Sequence, residues 1–554
     1  MTHPAPSPTL SPPSAAPPLQ LAAFWRGEGV SAPGRVGLGR RDLAVAAASG
    51  VTLALAYPGF DVALLAFVAL VPLGLLAFVP RGARGMAALF TAFGAGFYLT
   101  SLYWFLAMHP LTWLGFSEVA SGAVVAGAWL AASALLVGQL AAFGALYGLA
   151  SERWRTPGWR HVLTLAVGWT ALEWATSLGT FGFTWGNMAL SQVALLPMLQ
   201  VVELFGPYPL AGLLVAFNGA LALAVVPVAH GAPLRRARVP AIVALAILGG
   251  VGGYGWWRLR TVWPSEGFSA AIVQGNIHGA DKWTRGKDAL PRMAGRYVEL
   301  SAQEPGTDLV LWPETAVPEF LRNNQGIYAL LQTTAISQRR HLMFGTLDWE
   351  GQGDQIKLFN AVGVFAPNGS LLGFDYKRHL VPYGEYVPGR AWMPAFLLSL
   401  NIVGHDYHPG LTPRIFDTPF AQVGTGVCYD GIFPDAIRPV VASGATVLTL
   451  VTNDAWYKDT TAPRVLLAHA VLRAVENRRW VLRAANTGIS AFISPSGQVT
   501  AQTPVFQTAV LRGRAAAVTE VTPYTRWGDW LAMLAAAAFC GLVGLGWFRR
   551  RRPS

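Results

Sequence analysis

Three residues that could perform chemistry follow apolar stretches in the more polar part of the chain. Glu314 lies in LVLWPETAVP, Lys377 in GFDYKRHLVPYGEYVP and Cys428 in VGTGVCYDGIF. A free thiol is mostly protonated near neutral pH, so a nucleophilic cysteine needs a base. A carboxylate can remove the proton, and an ammonium with the backbone N–H of Tyr429 can stabilise charge on an attacked carbonyl oxygen. These residue types are suited to acyl chemistry through a cysteine thioester.

Each residue also has a purely structural interpretation. Cys428 could be a small buried hydrophobic side chain. Glu314 could be an exposed residue of a proline turn, and Lys377 a solvated lysine at a sheet edge. Spacing alone does not unite the three.

Short, mostly apolar runs surround these residues and predict strands. Continuous apolar strands need cover on both faces, which predicts an α/β layered domain whose strand ends form a crevice. The predicted strands occupy 268–277, 308–315, 341–349, 358–369, 421–431, 445–456 and 483–497.

Longer apolar runs predict a polytopic α-helical membrane domain. Hydrophobic residues make up 53% of the 554 residues and charged residues only 13%, unlike a typical soluble protein. Most of the runs approach the roughly 20 residues that a helix needs to cross a bilayer. The run at 196–229 could have a re-entrant start near Gly206. Eight spans are predicted, at 42–57, 60–80, 86–108, 119–149, 161–178, 196–229, 239–257 and 527–548.

Arginine clusters orient these spans, because loops rich in Lys and Arg stay in the cytoplasm. The intervening loops YPGFD, HPLTWLGFSE and GTFGFTWGNMALSQ contain neither residue. Both termini are therefore predicted inside, and the polar segment outside in a periplasm-like space. The arginines that occupy alternate connections are Arg35, Arg40, Arg41, Arg81, Arg84, Arg153, Arg155, Arg160, Arg235, Arg236, Arg238 and Arg549 to Arg552.

The chain accordingly divides into four predicted parts. A Pro-, Ala- and Ser-rich tail at 1–40 is expected to be disordered and cytoplasmic. A membrane domain with seven helices follows at 41–258. The α/β domain occupies 259–520, and a last helix with a basic cytoplasmic tail occupies 521–554.

Several other classes of protein do not fit the composition. The two cysteines, Cys428 and Cys540, give no disulfide framework. The ten histidines are scattered without a metal or nucleotide motif, so no metal and no cofactor are predicted. The net charge of +12 comes from arginines beside apolar runs and not from a basic face with aromatics, which argues against nucleic-acid binding.

The ordered motifs resemble those of the nitrilase (carbon–nitrogen hydrolase) superfamily, and their flanks are similar to its apolipoprotein N-acyltransferase branch. The similarity covers about 268–512 and includes IVQGNI, WPETAVP, YKRHLVPYGEYVP, GVCYD, TNDAWY, RAVENRR and RAANTGIS. It implies a nitrilase-like αββα fold for the outer domain and a location in the bacterial inner membrane.

The resemblance also implies a two-step reaction. Cys428 would attack the sn-1 ester of a phospholipid, and the acyl thioester would pass its chain to the α-amine of a diacylglyceryl-cysteine at a lipoprotein N-terminus. Glu314 would be the general base, and Lys377 would stabilise the oxyanion. The partners implied are the phospholipid donor, the lipoprotein acceptor and the membrane, and the enzyme is expected to be a monomer.

Further positions match the family's active site. Glu385 would be a second acid, although it could instead pair structurally with Arg378 or His379. Trp283 and Tyr429 would lie near the site, although either could be a packing aromatic. Asp430 replaces the family's glutamate and is one methylene shorter, which leaves its reach open.

One motif of the family is missing from the chain. The Gln-His pair that often follows the NDAW motif and a proline is absent, since Pro463 precedes RVLL. This difference affects the expected substrate contacts of that loop and not the thioester chemistry.

Membrane-side residues leave more alternatives. Glu173 and Glu203 lie within predicted spans and have no assigned role. Aromatic residues of the outer loops could line a lipid entrance or form an ordinary interfacial belt. These aromatics are Trp113, Phe116, Phe181, Phe183 and Trp185.

Two other functions compete with acyl transfer. A membrane-tethered nitrilase-type amidase would use the same triad with water as second nucleophile. A non-catalytic transporter or binding module would need charges organised around a midplane site, and would leave the ordered motifs unexplained.

Overall fold

Helices form most of the first half of the chain. The computed structural model describes residues 37–112, 115–152, 154, 156–229, 231, 233–277, 289–390 and 405–551. The helices before the first strand are α1 Arg40–Ala54, α2 Val71–Phe78, α3 Gly82–Ser101, α4 Glu118–Ser151, α5 Trp159–Ala175, α6 Leu196–Leu199, α7 Val202–Phe205, α8 Pro207–Ala229 and α9 Arg235–Leu259. The last helix, α15, spans Trp530–Arg551.

Five helices within the described residues are long and apolar enough to cross a bilayer, in agreement with a membrane domain. The predicted spans 42–57 and 161–178 are themselves short and form helices of about the expected length: α1 has 15 residues and α5 has 17. The run at 60–80 forms a 3₁₀ helix, Ala63–Phe67, and the eight-residue α2. Gly206, with φ of 81°, separates the short helices α6 and α7 from α8.

The second half contains two six-stranded sheets. The first has the order β12-β1-β2-β3-β4-β5 and the second β11-β10-β9-β8-β7-β6. Strands β1, β2 and β3 are parallel, as are β7, β8 and β9. The strands are β1 Phe268–Gln274, β2 Leu309–Leu311, β3 His341–Glu350, β4 Lys357–Phe365, β5 Leu371–Tyr376, β6 Phe416–Asp417, β7 Gln422–Val427, β8 Val447–Thr452, β9 Trp480–Ala485, β10 Ala491–Ile493, β11 Val499–Gln502 and β12 Ala509–Ala515.

The sheets face each other between two helical layers, so the predicted αββα arrangement is confirmed. Ile272 and Leu311 of the first sheet share a buried cluster with Val423 and Val451 of the second. Helices α10 (Ala289–Ala302) and α11 (Gln325–Gln338) cover the outer face of the first sheet. Helices α12 (Pro434–Ala442) and α13 (Ala462–Asn477) cover the second and share one core with the membrane helices.

A buried ion cluster joins the two halves of the chain. The carboxylate of Glu203 in α7 accepts hydrogen bonds from Arg478 at the end of α13 and from Arg258 of α9, the latter at 2.6 Å. Arg478 also donates to the Gln200 side chain at 2.7 Å. Glu203, which had no role from sequence, therefore anchors the α/β domain to the helices. The short helix α14, Pro523–Trp527, leads from this region into α15.

The predicted strand at 483–497 is a hairpin in the structure, because β9 and β10 pair antiparallel. The other six predicted strands are present within their expected ranges or within one residue of them. Sequence reasoning did not find β5, β6, β11 or β12. All four are edge strands of their sheets, where a partly exposed strand lacks the continuous apolar pattern.

Candidate active site

Cys428 lies at a sharp turn from strand to helix. It directly follows β7 and begins the 3₁₀ helix Cys428–Ile432. Its backbone is left-handed, with φ of 50°, a conformation that costs energy in a residue other than glycine and is concentrated at functional sites. The Thr452 hydroxyl lies 3.6 Å from the Cys428 Sγ. The thiol is thus presented at a strand end, next to the end of β8.

Glu314 follows β2 and is held in place by the neighbouring strand. A Cβ at Gly345 would lie 2.4 Å from the Pro313 carbonyl oxygen and 2.6 Å from the Glu314 Cα, so only glycine allows this approach. One carboxylate oxygen accepts the Asn453 backbone N–H at 2.8 Å. The other accepts the Asn360 side-chain amide at 2.8 Å. The Glu314 carboxylate is buried and has one defined orientation.

Lys377 reaches the same edge because β2 and β5 run in the same direction, with β4 reversing between them. Its Nζ lies 2.8 Å from Glu385 and 3.8 Å from Glu314. The Asn360 amide also donates to Glu385 at 3.0 Å. Glu385 further accepts the Val381 backbone N–H at 2.8 Å. One ammonium and one amide therefore bridge two carboxylates.

The structural alternative for Glu385 is wrong. Arg378 pairs with Asp375 at 3.1 Å, and His379 pairs with Asp435 at 3.5 Å. The side chains of Arg378 and His379 therefore point to other carboxylates. Glu385 belongs with Lys377.

The surroundings of the site raise the pKa of both the Cys428 thiol and the Lys377 amine. Burial raises the pKa of the Cys428 thiol well above its ordinary value, and the Glu314 carboxylate raises it further, while Lys377 acts against both. Burial alone would lower the pKa of Lys377, but Glu385, the Cys428 sulfur and Glu314 together raise it above its usual range. The resting site thus contains a neutral thiol and a charged ammonium.

Asp430 connects the thiol turn to the lysine loop. Its carboxylate accepts the backbone N–H groups of Arg378 at 3.0 Å, His379 at 2.6 Å and Val427 at 3.0 Å. The aspartate is therefore long enough to link the two segments, which answers the question that its shorter side chain raised. Removing this acceptor would leave buried donors unpaired.

Aromatic residues cover the side of the site that faces the helices. The Tyr429 hydroxyl donates to the Gly182 carbonyl at 3.2 Å, and its ring lies 6.5 Å from that of Phe183. Trp185 stacks on Phe183 with 5.7 Å between ring centroids. The Phe181 side chain is 49% exposed. The thiol turn and the loop around Gly182 and Phe183 therefore form one surface.

Two of the predicted aromatics cannot be assigned a place. Trp283 and Trp113 lie outside the described residues.

No group of three or more potential metal ligands occurs in the part of the chain that the structure describes.

Sequence reasoning missed the residues that orient the charged groups. Asn360 could have been recognised as an amide within the otherwise apolar strand LFNAVGVF. Asn453 lies in the quoted motif TNDAWY, but its contribution is a backbone N–H, which residue type does not reveal. Gly345 has no sequence signal of its own, since its role depends on the approach of another strand.

Comparison with family models assigns both halves of the chain. The model described as "Carbon-nitrogen hydrolase" matches residues 269–519, and that described as "Apolipoprotein N-acyltransferase N-terminal domain" matches residues 49–220. The two matches correspond to the two-sheet domain and to most of the helical domain.

Whole-length relatives give the same result. An apolipoprotein N-acyltransferase of Gloeobacter violaceus is 35% identical over 517 residues, covering 91% of this chain and 94% of the relative. That of Geobacter metallireducens is 30% identical over 516 residues, covering 92% and 96%. Among solved structures, an amidase from Nesterenkonia sp. matches 47% of this chain and 94% of its own, with 20% identity and a TM-score of 0.35.

Proposed function

The chain belongs to the apolipoprotein N-acyltransferase family, and from this premise we propose how its residues perform the reaction. The protein is a membrane acyltransferase of the carbon–nitrogen hydrolase superfamily, with a lipoprotein as acceptor. The proposed donor is a phospholipid. The observation that carries the proposal is the Lys377 ammonium held between Glu314 and Glu385 beside the strained Cys428 turn.

The first half-reaction forms the thioester. Glu314 takes the proton of the Cys428 thiol as the sulfur attacks the carbonyl carbon of a phospholipid ester. The Lys377 ammonium and the Tyr429 backbone N–H stabilise the negative oxygen of the tetrahedral intermediate. The C–O bond to the glycerol breaks, and Glu314 returns the proton to the leaving oxygen, releasing a lysophospholipid.

The second half-reaction transfers the acyl chain. The α-amine of the N-terminal diacylglyceryl-cysteine attacks the thioester carbonyl and loses a proton to Glu314. The C–S bond breaks, and the Cys428 thiolate is protonated again. Because burial raises the pKa of this thiol, proton transfer must accompany attack in the first step, which makes the fixed Glu314 carboxylate necessary.

The neighbours of the triad act by positioning it. Glu385 keeps Lys377 charged and aimed at the reacting oxygen, and Asp430 maintains the relative position of the lysine loop and the thiol turn. Tyr429 contributes its backbone to the oxyanion and its ring to the apolar surface. Trp283 is proposed as a further aromatic at the site from the family resemblance alone.

The arrangement in the membrane is also a proposal. We place the α/β domain at 259–520 on the periplasmic side of the bacterial inner membrane, with segments 1–40 and 521–554 ending in the cytoplasm and 41–258 in the bilayer. The alternation of arginine-rich loops supports this orientation. A monomer suffices, since Glu314, Lys377 and Cys428 all come from one chain.

Mass spectrometry tests the function. Purified protein is incubated with phospholipid, and the wild type is compared with Cys428→Ala for an acyl-sized adduct, before a diacylglyceryl lipopeptide is added. We expect an adduct on the Cys428 peptide that then moves to the lipopeptide amine. Discharge to water alone would favour the amidase alternative, and no adduct in folded protein would contradict both enzymatic functions.

A further inference from the structure

A short outer segment connects the membrane helices to the thiol turn. This bridging segment, 182–188, is held from the catalytic side by two bonds: the Thr184 hydroxyl donates to the Ile432 carbonyl at 2.7 Å, and the Gly182 carbonyl accepts the Tyr429 hydroxyl. From the membrane side, the Tyr57 hydroxyl donates to the Gly186 carbonyl at 2.7 Å. The segment is therefore fixed from two domains at once.

The bridging segment carries an aromatic wall, which consists of Phe183 and Trp185 with Trp104, Tyr429 and Tyr457. Trp104 lies 4.8 Å from Trp185 and 5.0 Å from Tyr457 between ring centroids. The chain of ring contacts continues through Phe183 to Tyr429, the residue after the nucleophile. The partly exposed rings of Phe183, Tyr429 and Tyr457 suit the methylenes of an acyl chain bound to Cys428, while Trp104 and Trp185 are buried behind them.

The wall also has unused hydrogen-bond donors. The buried indole N–H groups of Trp104 and Trp185 have no partner among the described residues. An unpaired buried donor is unfavourable, and an ester or amide oxygen of a lipid would satisfy it. The wall is thus complementary to an apolar ligand that carries polar oxygens at one end.

Glu173 of α5 anchors the far end of the bridging segment. It is 7% exposed, and its Oε1 accepts both the Trp169 indole N–H and the Met188 backbone N–H, each at 3.0 Å. Its Oε2 has no hydrogen-bond partner among the described residues, and Glu173 borders a cavity lined by Phe93, Phe97 and the bridging segment. Among the residues that the structure describes, no Lys or Arg forms an ion pair with the Glu173 carboxylate. Glu203, in contrast, pairs with Arg258 and Arg478.

Burying an acid among apolar helices is costly, and acids found there are usually functional. We infer that Glu173 is a positioning residue for acyl-chain binding: through Met188 it holds the bridging segment so that the aromatic wall lies beside the thioester. The inference rests on the proposed function and adds a residue to it. Glu173 contacts neither the reacting atoms nor the triad, so its effect depends on the length of the acyl chain.

Two substitutions of Glu173 separate its hydrogen bonds to Trp169 and Met188 from its negative charge, and a third variant is the control. Glu173→Gln keeps an oxygen for Trp169 and Met188. Glu173→Asp withdraws the acceptor by one methylene with little change in volume. Asn218→Leu is the matched control, because Asn218 is a buried polar residue of α8 that bonds Leu70, Ala66 and Leu214 and not the bridging segment.

The experiment compares two acyl donors in the full-length protein. Thioester formation is measured with dipalmitoyl phosphatidylethanolamine and with p-nitrophenyl butyrate, whose chain is too short to cover the wall. For Glu173→Asp we expect kcat/KM with the palmitoyl lipid to fall at least about tenfold, mainly through KM, and to stay within about twofold with the butyrate. Glu173→Gln and Asn218→Leu should match the wild type with both donors.

The contrary results are distinct. Equal losses with both donors would show general damage to the site and overturn the inference, as would wild-type palmitoyl kinetics in Glu173→Asp. A loss confined to the long chain in Asn218→Leu would also overturn it. Absence of any palmitoyl thioester in the wild type would refute the proposed function itself, and this inference with it.

Discussion

The Nζ atom of Lys377 lies 2.8 Å from the carboxylate of Glu385, closer than the 3.8 Å that separates it from Glu314. The lysine is thus more tightly paired with the acid that does not act as base. This asymmetry leaves Glu314 available for proton transfer while Glu385 keeps the lysine charged. It also separates the expected effects of changing the two acids.

Glu385→Gln should shift the alkaline limit of activity to lower pH. Glu385 is the largest of the contributions that raise the pKa of Lys377, whereas burial lowers it. Without this carboxylate the ammonium loses its proton at a lower pH, and oxyanion stabilisation ends there. Lys377 also loses the partner that orients its ammonium, so we expect kcat to fall by about 10² at neutral pH, with the alkaline limb of the rate profile displaced to lower pH.

The matched control for this change is Glu299→Gln, which alters an exposed glutamate on α10. Its pH profile should equal that of the wild type. An unchanged alkaline limb in Glu385→Gln would contradict the proposed role of that carboxylate.

The Cys428 thiol should react with iodoacetamide slowly and without a plateau up to at least pH 9, because burial and Glu314 raise its pKa. Glu314→Gln removes one of these two causes, so the pKa falls and alkylation at pH 9 should become faster. Acyl transfer should nevertheless decrease, since the base is lost. Both rates are measured by mass spectrometry in a Cys540→Ala background, and a parallel decrease of alkylation and transfer would argue against this electrostatic explanation.

Gly345→Ala should reduce activity while the protein still folds. The added Cβ would lie 2.4 Å from the Pro313 carbonyl oxygen, so the Glu314 turn must move. Because small displacements of a catalytic group are costly, we expect a fall in kcat of about 10². Gly295→Ala on α10, where nothing lies within 4 Å, is the control and should retain full activity. Wild-type turnover in Gly345→Ala would mean that the position of Glu314 is not critical.

Glu203→Gln should destabilise the junction between the domains. The change leaves the fully buried Arg478 without its carboxylate, a loss of about 3 kcal/mol or more for a buried pair. Thermal unfolding in detergent should show a lower apparent Tm. The exposed pair of Arg512 and Glu304, 3.4 Å apart, provides the comparison, since Glu304→Gln should cost less than about 1 kcal/mol. Equal Tm values for the two variants would show that the junction is not held by this cluster.

Much of the architecture could be predicted from local sequence. The length of the apolar runs distinguished the helical domain from the two-sheet domain. A helix that crosses a bilayer needs a run of about 20 apolar residues, whereas a buried strand needs only a short one. The motifs around Glu314, Lys377 and Cys428 identified the residues that the fold brings to one edge. Six of the seven predicted strands match single strands of the structure, because these strands are mostly buried on both faces.

Other features depended on tertiary contacts. The division of the run at 60–80 into a 3₁₀ helix and the short α2 could not be predicted, since hydropathy measures composition and not where a turn ends a helix. Asn360 and Gly345 act only through segments that approach from elsewhere in the chain, and Glu203 is explained by Arg478, 275 residues later. Sequence determined which groups the protein has and the elements that carry them, because residue type and periodicity are local. Which acid pairs with the lysine and which arginine neutralises a buried glutamate were decided by the tertiary structure, because charge interactions depend on distances that only packing creates.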